Sequence, residues 1–417
     1  MGNRDINDFE RKDKAPAGPG GVTAAAGFTA HGMHAGIRKS GKKDLAVLVA
    51  HEPVPAAAIF TVNVVRAAPV VVSAEHLQKS GGMLRAIVMN SGVANAATGQ
   101  QGLEDARATA RCAAEALGIP EEQVAVASTG LIGVFLPMDV IREGVPECLA
   151  AASREGHLLA AEAIMTTDTF SKEAETRRVL SDGTTITVGA MAKGAGMIHP
   201  NMATMLAFAT TDARVTPAAL KTALAQAGDA TFNMISVDGD MSTNDAVFLM
   251  ASGAAGGPLI DGPGPDFDVL VSALLEVFTK LAKDIVSDGE GATRIMEVHL
   301  QGAASPEEAR LGARAVTRST LVKAALFGGD ANWGRILAAL GSSGAAFDPD
   351  RVDLKIGGIP VLESGRPIPF DEQEMAAVLA ENEVRFDLNL NAGDHSATAW
   401  GCDITYEYIR VNAEYRT

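Results

Sequence analysis

Thr204 is the residue best placed in this chain to act as a nucleophile. It stands between a glycine-rich turn and a long apolar run in Lys193-Gly-Ala-Gly-Met-Ile-His-Pro-Asn-Met-Ala-Thr204-Met-Leu206. Gly194 and Gly196 permit backbone angles closed to other residues, Pro200-Asn201 marks a turn, and Met205 to Ala209 reads as a buried strand. A threonine hydroxyl is a weak nucleophile until a base takes its proton. An N-terminal threonine carries that base in its own α-amine, whose reference pKa is about 8, whereas an internal threonine has none. By local pattern alone, a threonine here more often satisfies a turn amide, and a lone lysine such as Lys193 is more often a solvated surface residue.

The elements that must hold this turn read as short strands alternating with helices. Apolar runs of strand length, Leu45 to Ala50, Ala58 to Val62, Ala86 to Met89, Val124 to Ala127 and Thr204 to Ala209, are bounded by Gly, Pro, Asn or charged residues. Leu103 to Leu117 is alanine-rich and stops at Gly118 and Pro120, while Thr216-Pro217 supplies an N-cap and first-turn proline for Ala218 to Ala227. The longest helix is expected over Phe267 to Val286, where Phe267, Leu270, Leu274, Phe278, Leu281 and Ile285 recur at helical spacing before Ser287-Asp-Gly289 ends it. Interleaved strands and helices imply a layered α/β architecture and leave strand order open. Chain termini usually fray, but Tyr406 to Tyr415 is aromatic and alternating, as expected of an anchored end.

Composition narrows the function classes. A chain of 417 residues that is 47% hydrophobic can bury a substantial core, and its formal charge of -16 argues against nucleic acid or anionic membrane as a partner. No apolar stretch is long enough to span a bilayer. Cys112, Cys148 and Cys402 lie far apart without paired spacing, which suits a reducing compartment, with the cytoplasm as the expected location, rather than a disulfide framework or a zinc site. Residues 1–21, charged and then rich in Pro and Gly, are expected to form a flexible tail without the apolar core of a signal peptide. Ile6 stands where a myristoylation motif wants Ser or Thr. Asp238-Gly-Asp240-Met-Ser242 begins like a calcium loop, but Thr243 and Leu249 occupy its glycine and bidentate glutamate positions, so no metal site is expected. His199 is close to Thr204 in sequence, yet a free α-amine would already fill the role of base.

The run Met191 to Leu206 resembles the signature of the ornithine acetyltransferase family, the bifunctional glutamate N-acetyltransferases of arginine biosynthesis. Further segments resemble the family in its own order: Asn90 to Asn95, Ser128 to Gly133, Ile164 to Asp168, Phe232 to Asp238, Ser242 to Asp245, Asp288 to Thr293, Leu326 to Arg335, Gly401 to Thr405 and Asn412 to Thr417. The resemblance implies a two-sheet α/β sandwich flanked by helices, similar to self-cleaving aminopeptidases, with a smaller C-terminal α/β domain. Residues 22–302 would form the catalytic domain and 303–417 the C-terminal one, with the acidic stretch Ala303 to Arg310 at the boundary.

It also implies self-cleavage between Ala203 and Thr204, after which Thr204 takes acetyl from N-acetylornithine and passes it to glutamate. The oxyanion hole falls on Thr129 and Gly130, and Thr166, Lys193, Thr204, Glu290, Asn412 and Thr417 match substrate-binding positions. We expect Lys193 to meet carboxylate or oxyanion and Glu290 the side-chain amine of the substrate. No cofactor is expected, acetyl-CoA is a conceivable second acetyl donor, and the processed chains would associate, two of each. Two other readings remain open: an N-terminal-nucleophile amidase or aminopeptidase, disfavoured because the peptidase relatives use serine, and a paralogous acetyltransferase of another pathway. A non-catalytic amino-acid-binding protein would differ from all of these in migrating as one chain.

Overall fold

The computed structural model describes residues 18–199 and 205–414. Their strands are β1 (Phe28–Met33), β2 (Leu45–Phe60), β3 (Met83–Asn90), β4 (Val124–Ser128), β5 (Lys172–Val179), β6 (Thr185–Lys193), β7 (Leu206–Val215), β8 (Ile235–Ser236), β9 (Ala246–Ile260) and β10 (Ile295–Ala303). Five more follow: β11 (Asp353–Ile356), β12 (Ile359–Glu363), β13 (Arg366–Pro367), β14 (Glu383–Asn389) and β15 (His395–Cys402). They form two mixed sheets flanked by helices, ordered β4-β3-β2-β9-β7-β6-β5, with β1 beside β2, and β13-β12-β11-β14-β10-β15-β8. In the first sheet β3 and β4 run parallel, as do β7 and β9, and the other pairs are antiparallel.

The apolar run at 45–50 and the first three residues of the run at 58–62 belong to one strand. The register of β2 shifts between Val49 and Val54, so its first half pairs with β3 and its second half, Ala56 to Phe60, with β9. The exposed His51-Glu52-Pro53 segment lies at that irregularity, where a proline removes no essential ladder bond. The alanine-rich helix begins at Gly99, earlier than its apolar pattern, and ends at Gly118 in the left-handed conformation (φ +65°). Thr216 caps the helix Pro217–Ala230 by accepting from the Ala219 amide. The longest helix, Pro265–Ser287, buries the expected stripe, and Phe278 on it packs against Phe232 with ring centroids 4.8 Å apart. This helix touches β5 and β6 of one sheet and β15 of the other, so a single apolar core runs through both. Truncating a phenylalanine so buried typically costs about 3–5 kcal/mol.

Two sequence boundaries need adjusting. Gly20 and Gly21, assigned to the tail, are buried: Gly20 lies against the His157 ring, and the Gly21 amide donates to Glu175 at 3.0 Å. The second sheet starts upstream of residue 303, because β10 pairs with both β14 and β15, and β8 joins it from within the stretch 22–302. Among the described residues the three cysteines are free, no helix is long and apolar enough to cross a membrane, and no cluster of three metal-ligating side chains occurs.

Candidate active site

Three strand ends converge around one lysine. Lys193 is the last residue of β6 and pairs with Leu206, the first of β7. Its buried ammonium donates to Thr166 Oγ1 at 2.8 Å and to Thr129 Oγ1 at 3.2 Å. Thr129 follows β4 directly, and the loop it opens is tied to the start of β9 by Asn244, whose amide donates to the carbonyls of Ser128 (2.8 Å) and Ala94 (2.6 Å). Sheet topology, rather than sequence proximity, therefore joins Thr129, Thr166 and Lys193.

The oxyanion pair expected at 129–130 has usable donors. The Thr129 amide is occupied by Asn90 O at 3.0 Å, but its hydroxyl oxygen accepts from Lys193 and so keeps its own proton free to donate. The Gly130 amide has no hydrogen-bond partner among the described residues. Only glycine fits at 130, since φ is +127° and a Cβ would sit 2.3 Å from the Gly92 carbonyl carbon.

Lys193 forms no ion pair with any carboxylate of the described residues. Burial pushes its pKa down; Asp168 opposes this, Lys172 and Arg38 add to it, and Glu290 again favours the charged form. Asp168 lies in the layer beneath. Its carboxylate accepts from the Gly194 amide (2.6 Å), the Thr166 amide (2.9 Å) and Lys172 Nζ (2.8 Å). Burial alone would raise the Asp168 pKa, but Lys172, Lys193 and these donors outweigh it and hold the group ionised. Lys172, fully buried, also donates to Asp288 at 2.5 Å, and Asp288 takes the Thr169 amide and hydroxyl.

A second carboxylate holds the turn that leads toward Thr204. Asp238 accepts from the amides of Met197 and Ile198, and the Val237 amide donates to Ile198 O at 2.7 Å. Met197 adopts φ +58°, a strained angle for a side-chain-bearing residue that these bonds compensate. The stretch that resembles a calcium loop thus spends its first carboxylate on backbone amides. His199 is a poor base: burial first, then Arg314, Arg318 and Lys323, lower its pKa to about 3, and its ring contacts Ser236 Oγ and Arg314.

Tyr406–Glu414 form a helix. Tyr408 and Asn412, four residues apart, share a face: the Tyr408 phenol bonds Asp238, and Asn412 Nδ2 donates to Glu290 Oε2 at 2.8 Å. Glu290 lies directly over the glycine turn, since a Cβ at Gly196 would come within 2.5 Å of its carboxyl. Burial, reinforced by Asp238, Glu290 and Asp240, pushes the Tyr408 phenol well above its ordinary pKa, so it stays a donor.

Of the residues expected from sequence, Thr129, Gly130, Thr166 and Lys193 gather at one place, with Glu290 and Asn412 paired beside the same turn. Ala203, Thr204 and Thr417 lie outside the described residues. Sequence reading assigned no role to Arg38, Asp168, Lys172, Asp288 or Tyr408. Asp168 and Asp288 fell within family-like segments, and Arg38, which donates to Met165 O, carried no local signal.

A family model described as the ArgJ family matches residues 29–417. The "Arginine biosynthesis bifunctional protein ArgJ" of Symbiobacterium thermophilum is 56% identical over 400 residues, covering 95% of this chain and 99% of that protein. Its namesake from Halalkalibacterium halodurans is 47% identical over 399 residues, covering 95% and 96%. Among solved structures, ornithine acetyltransferase from Mycobacterium tuberculosis, complexed with ornithine, is 43% identical, with a TM-score of 0.40, covering 44% of this chain and 95% of that one.

Proposed function

The chain belongs to the ArgJ family, and we propose that it is a self-processing glutamate N-acetyltransferase of arginine biosynthesis, moving acetyl from N-acetylornithine to glutamate through acetyl-Thr204. The observation that carries this reading is the buried Lys193 ammonium, which donates to two hydroxyls among the described residues, with the Glu290–Asn412 pair beside the same glycine turn. A cation and a carboxylate on one site match the two ends of a zwitterionic amino acid.

In the processing step Thr204 Oγ attacks the Ala203 carbonyl carbon, and the C–N bond breaks as the nitrogen takes a proton. Water then cleaves the ester, leaving the Ala203 carboxylate and a free Thr204 amine. That amine is the base for turnover. It takes the Thr204 hydroxyl proton as Oγ attacks the acetyl carbonyl, and it returns the proton to the departing ornithine nitrogen. Glutamate then reverses the sequence and leaves as N-acetylglutamate. Both half-reactions pass through a tetrahedral oxyanion, for which the Thr129 hydroxyl and the Gly130 amide are the donors. Lys193 adds positive charge beside them. The reading includes cytoplasmic location, two copies of each fragment in the assembly, no cofactor, and acetyl-CoA as an alternative donor.

Purified protein supplied with N-acetylornithine and glutamate is expected to form N-acetylglutamate, and absence of that product would overturn the reading. In the same assay, removal of residues 412–417 deletes the Asn412 contact to Glu290 while leaving Tyr408 on Asp238. KM for N-acetylornithine should rise and kcat fall, since a misplaced substrate loses orientation at the hydroxyl, with cleavage largely intact. Unchanged constants would remove these residues from the site.

A further inference from the structure

The layer beneath Lys193 contains three charged groups packed together: Asp168, Lys172 and Asp288. Two carboxylates and one ammonium leave one unit of negative charge in excess. Lys193 directly above has a positive charge and no ion-pair partner of its own among the described residues, and it offsets the excess of the layer beneath. Such a set is costly to bury. A network that served only to anchor β5 would need one carboxylate for Lys172. Asp168 instead turns its two oxygens outward as well, to the amide of Gly194, which follows Lys193 in the chain, and to the amide of Thr166, whose hydroxyl accepts from the Lys193 ammonium.

We propose that Asp168 is a positioning residue for the transfer reaction: its carboxylate fixes the Thr166 loop and the Gly194 turn beside Lys193, and together with Lys172 and Asp288 it supplies the negative charge that balances the Lys193 ammonium. The inference rests on the proposed reading of Lys193 as the anion-binding group of the transferase. Burial acts most strongly on Lys193; of the charges nearest it, Asp168 and Glu290 favour its charged form and Lys172 and Arg38 disfavour it, while Asp288 acts from behind Lys172.

Opposite changes in this layer should therefore have opposite effects. Asp168→Asn removes the excess negative charge, so Lys193 loses its proton at lower pH and the alkaline limb of the kcat/KM profile moves down. Lys172→Gln doubles the excess, and the limb moves up. Damage to packing alone would lower the plateau in both variants without moving the limb in opposite directions. Asp168→Asn should also raise KM for N-acetylornithine through the loosened Thr166 loop. If it does not fold, Asp288→Asn removes the same unit of charge through Lys172, leaves the Thr166 and Gly194 bonds in place, and should move the limb down as well.

The test is a pair of titrations on each variant: kcat/KM against pH, and the 13C signal of Lys193 Cε in lysine-labelled protein, assigned by its loss in Lys193→Gln. Shifts in opposite directions for Asp168→Asn and Lys172→Gln support the proposal. Shifts in the same direction, or none, overturn it. The NMR titration needs no turnover, so a wild-type protein without transferase activity would sink the reading of the site, whereas an active protein whose Lys193 titration ignores the layer beneath would sink this inference alone.

Discussion

A Thr204→Ala protein is expected to remain one continuous chain and to lose acetyl transfer, whereas the wild type divides into one chain ending at Ala203 and one beginning at Thr204. Both effects have one cause. Without the hydroxyl there is no attack on the Ala203 carbonyl, so no α-amine is released. Even a chain cut by other means would then have a base and nothing for it to deprotonate. Loss of the nucleophile should lower transfer by on the order of 10⁴-fold or more. Thr204→Ser keeps a hydroxyl and should still cleave, which separates the chemistry of the side chain from its packing. Intact-mass spectrometry and an assay for N-acetylglutamate read the two effects. Wild-type protein that stays whole while fully active would show that the α-amine is not the base.

Thr129→Ala should lower kcat by about 100-fold or more while leaving the fold intact, because the loss of one oxyanion donor typically costs on the order of 100- to 1,000-fold. The surroundings explain why the hydroxyl is the group that matters. The Thr129 amide is already bonded to Asn90 O, so the substitution removes its only free donor, while Lys193 keeps Thr166 and the Gly130 amide is untouched. An effect confined to KM would assign Thr129 to substrate binding instead. Cleavage should slow in parallel, since it passes through the same kind of oxyanion.

The longest helix was legible because six apolar side chains at helical spacing face one core, and Thr216-Pro217 and Gly118 announced helix ends through their own backbone chemistry. The continuity of β2 was not, because its irregular middle contains two prolines and is specified by its partners β3 and β9 rather than by its own pattern. The same distinction holds at the site. Thr129, Thr166 and Lys193 were found through motifs, but their contacts span 64 and 27 positions and follow from strand order. Lys172 and Asp288, 116 positions apart, form a buried ion pair that no local periodicity marks. Asp238 opens a run that resembles a calcium loop, and its place beside the turn, which local pattern does not mark, makes it a backbone clamp. The alternation of the last residues pointed to an anchored end but missed the helix that puts Tyr408 and Asn412 on one face.

The central claim is that acetyl resides on Thr204 between donor and acceptor. Processed protein incubated with N-acetylornithine in the absence of glutamate, quenched in acid and measured by intact-mass spectrometry should show the fragment beginning at Thr204 heavier by one acetyl group, with the modification on the Thr204 hydroxyl in its N-terminal peptide. Addition of glutamate before the quench should remove it. Rapid formation of N-acetylglutamate by protein that never carries acetyl, under conditions in which the donor half-reaction releases ornithine, would contradict the account.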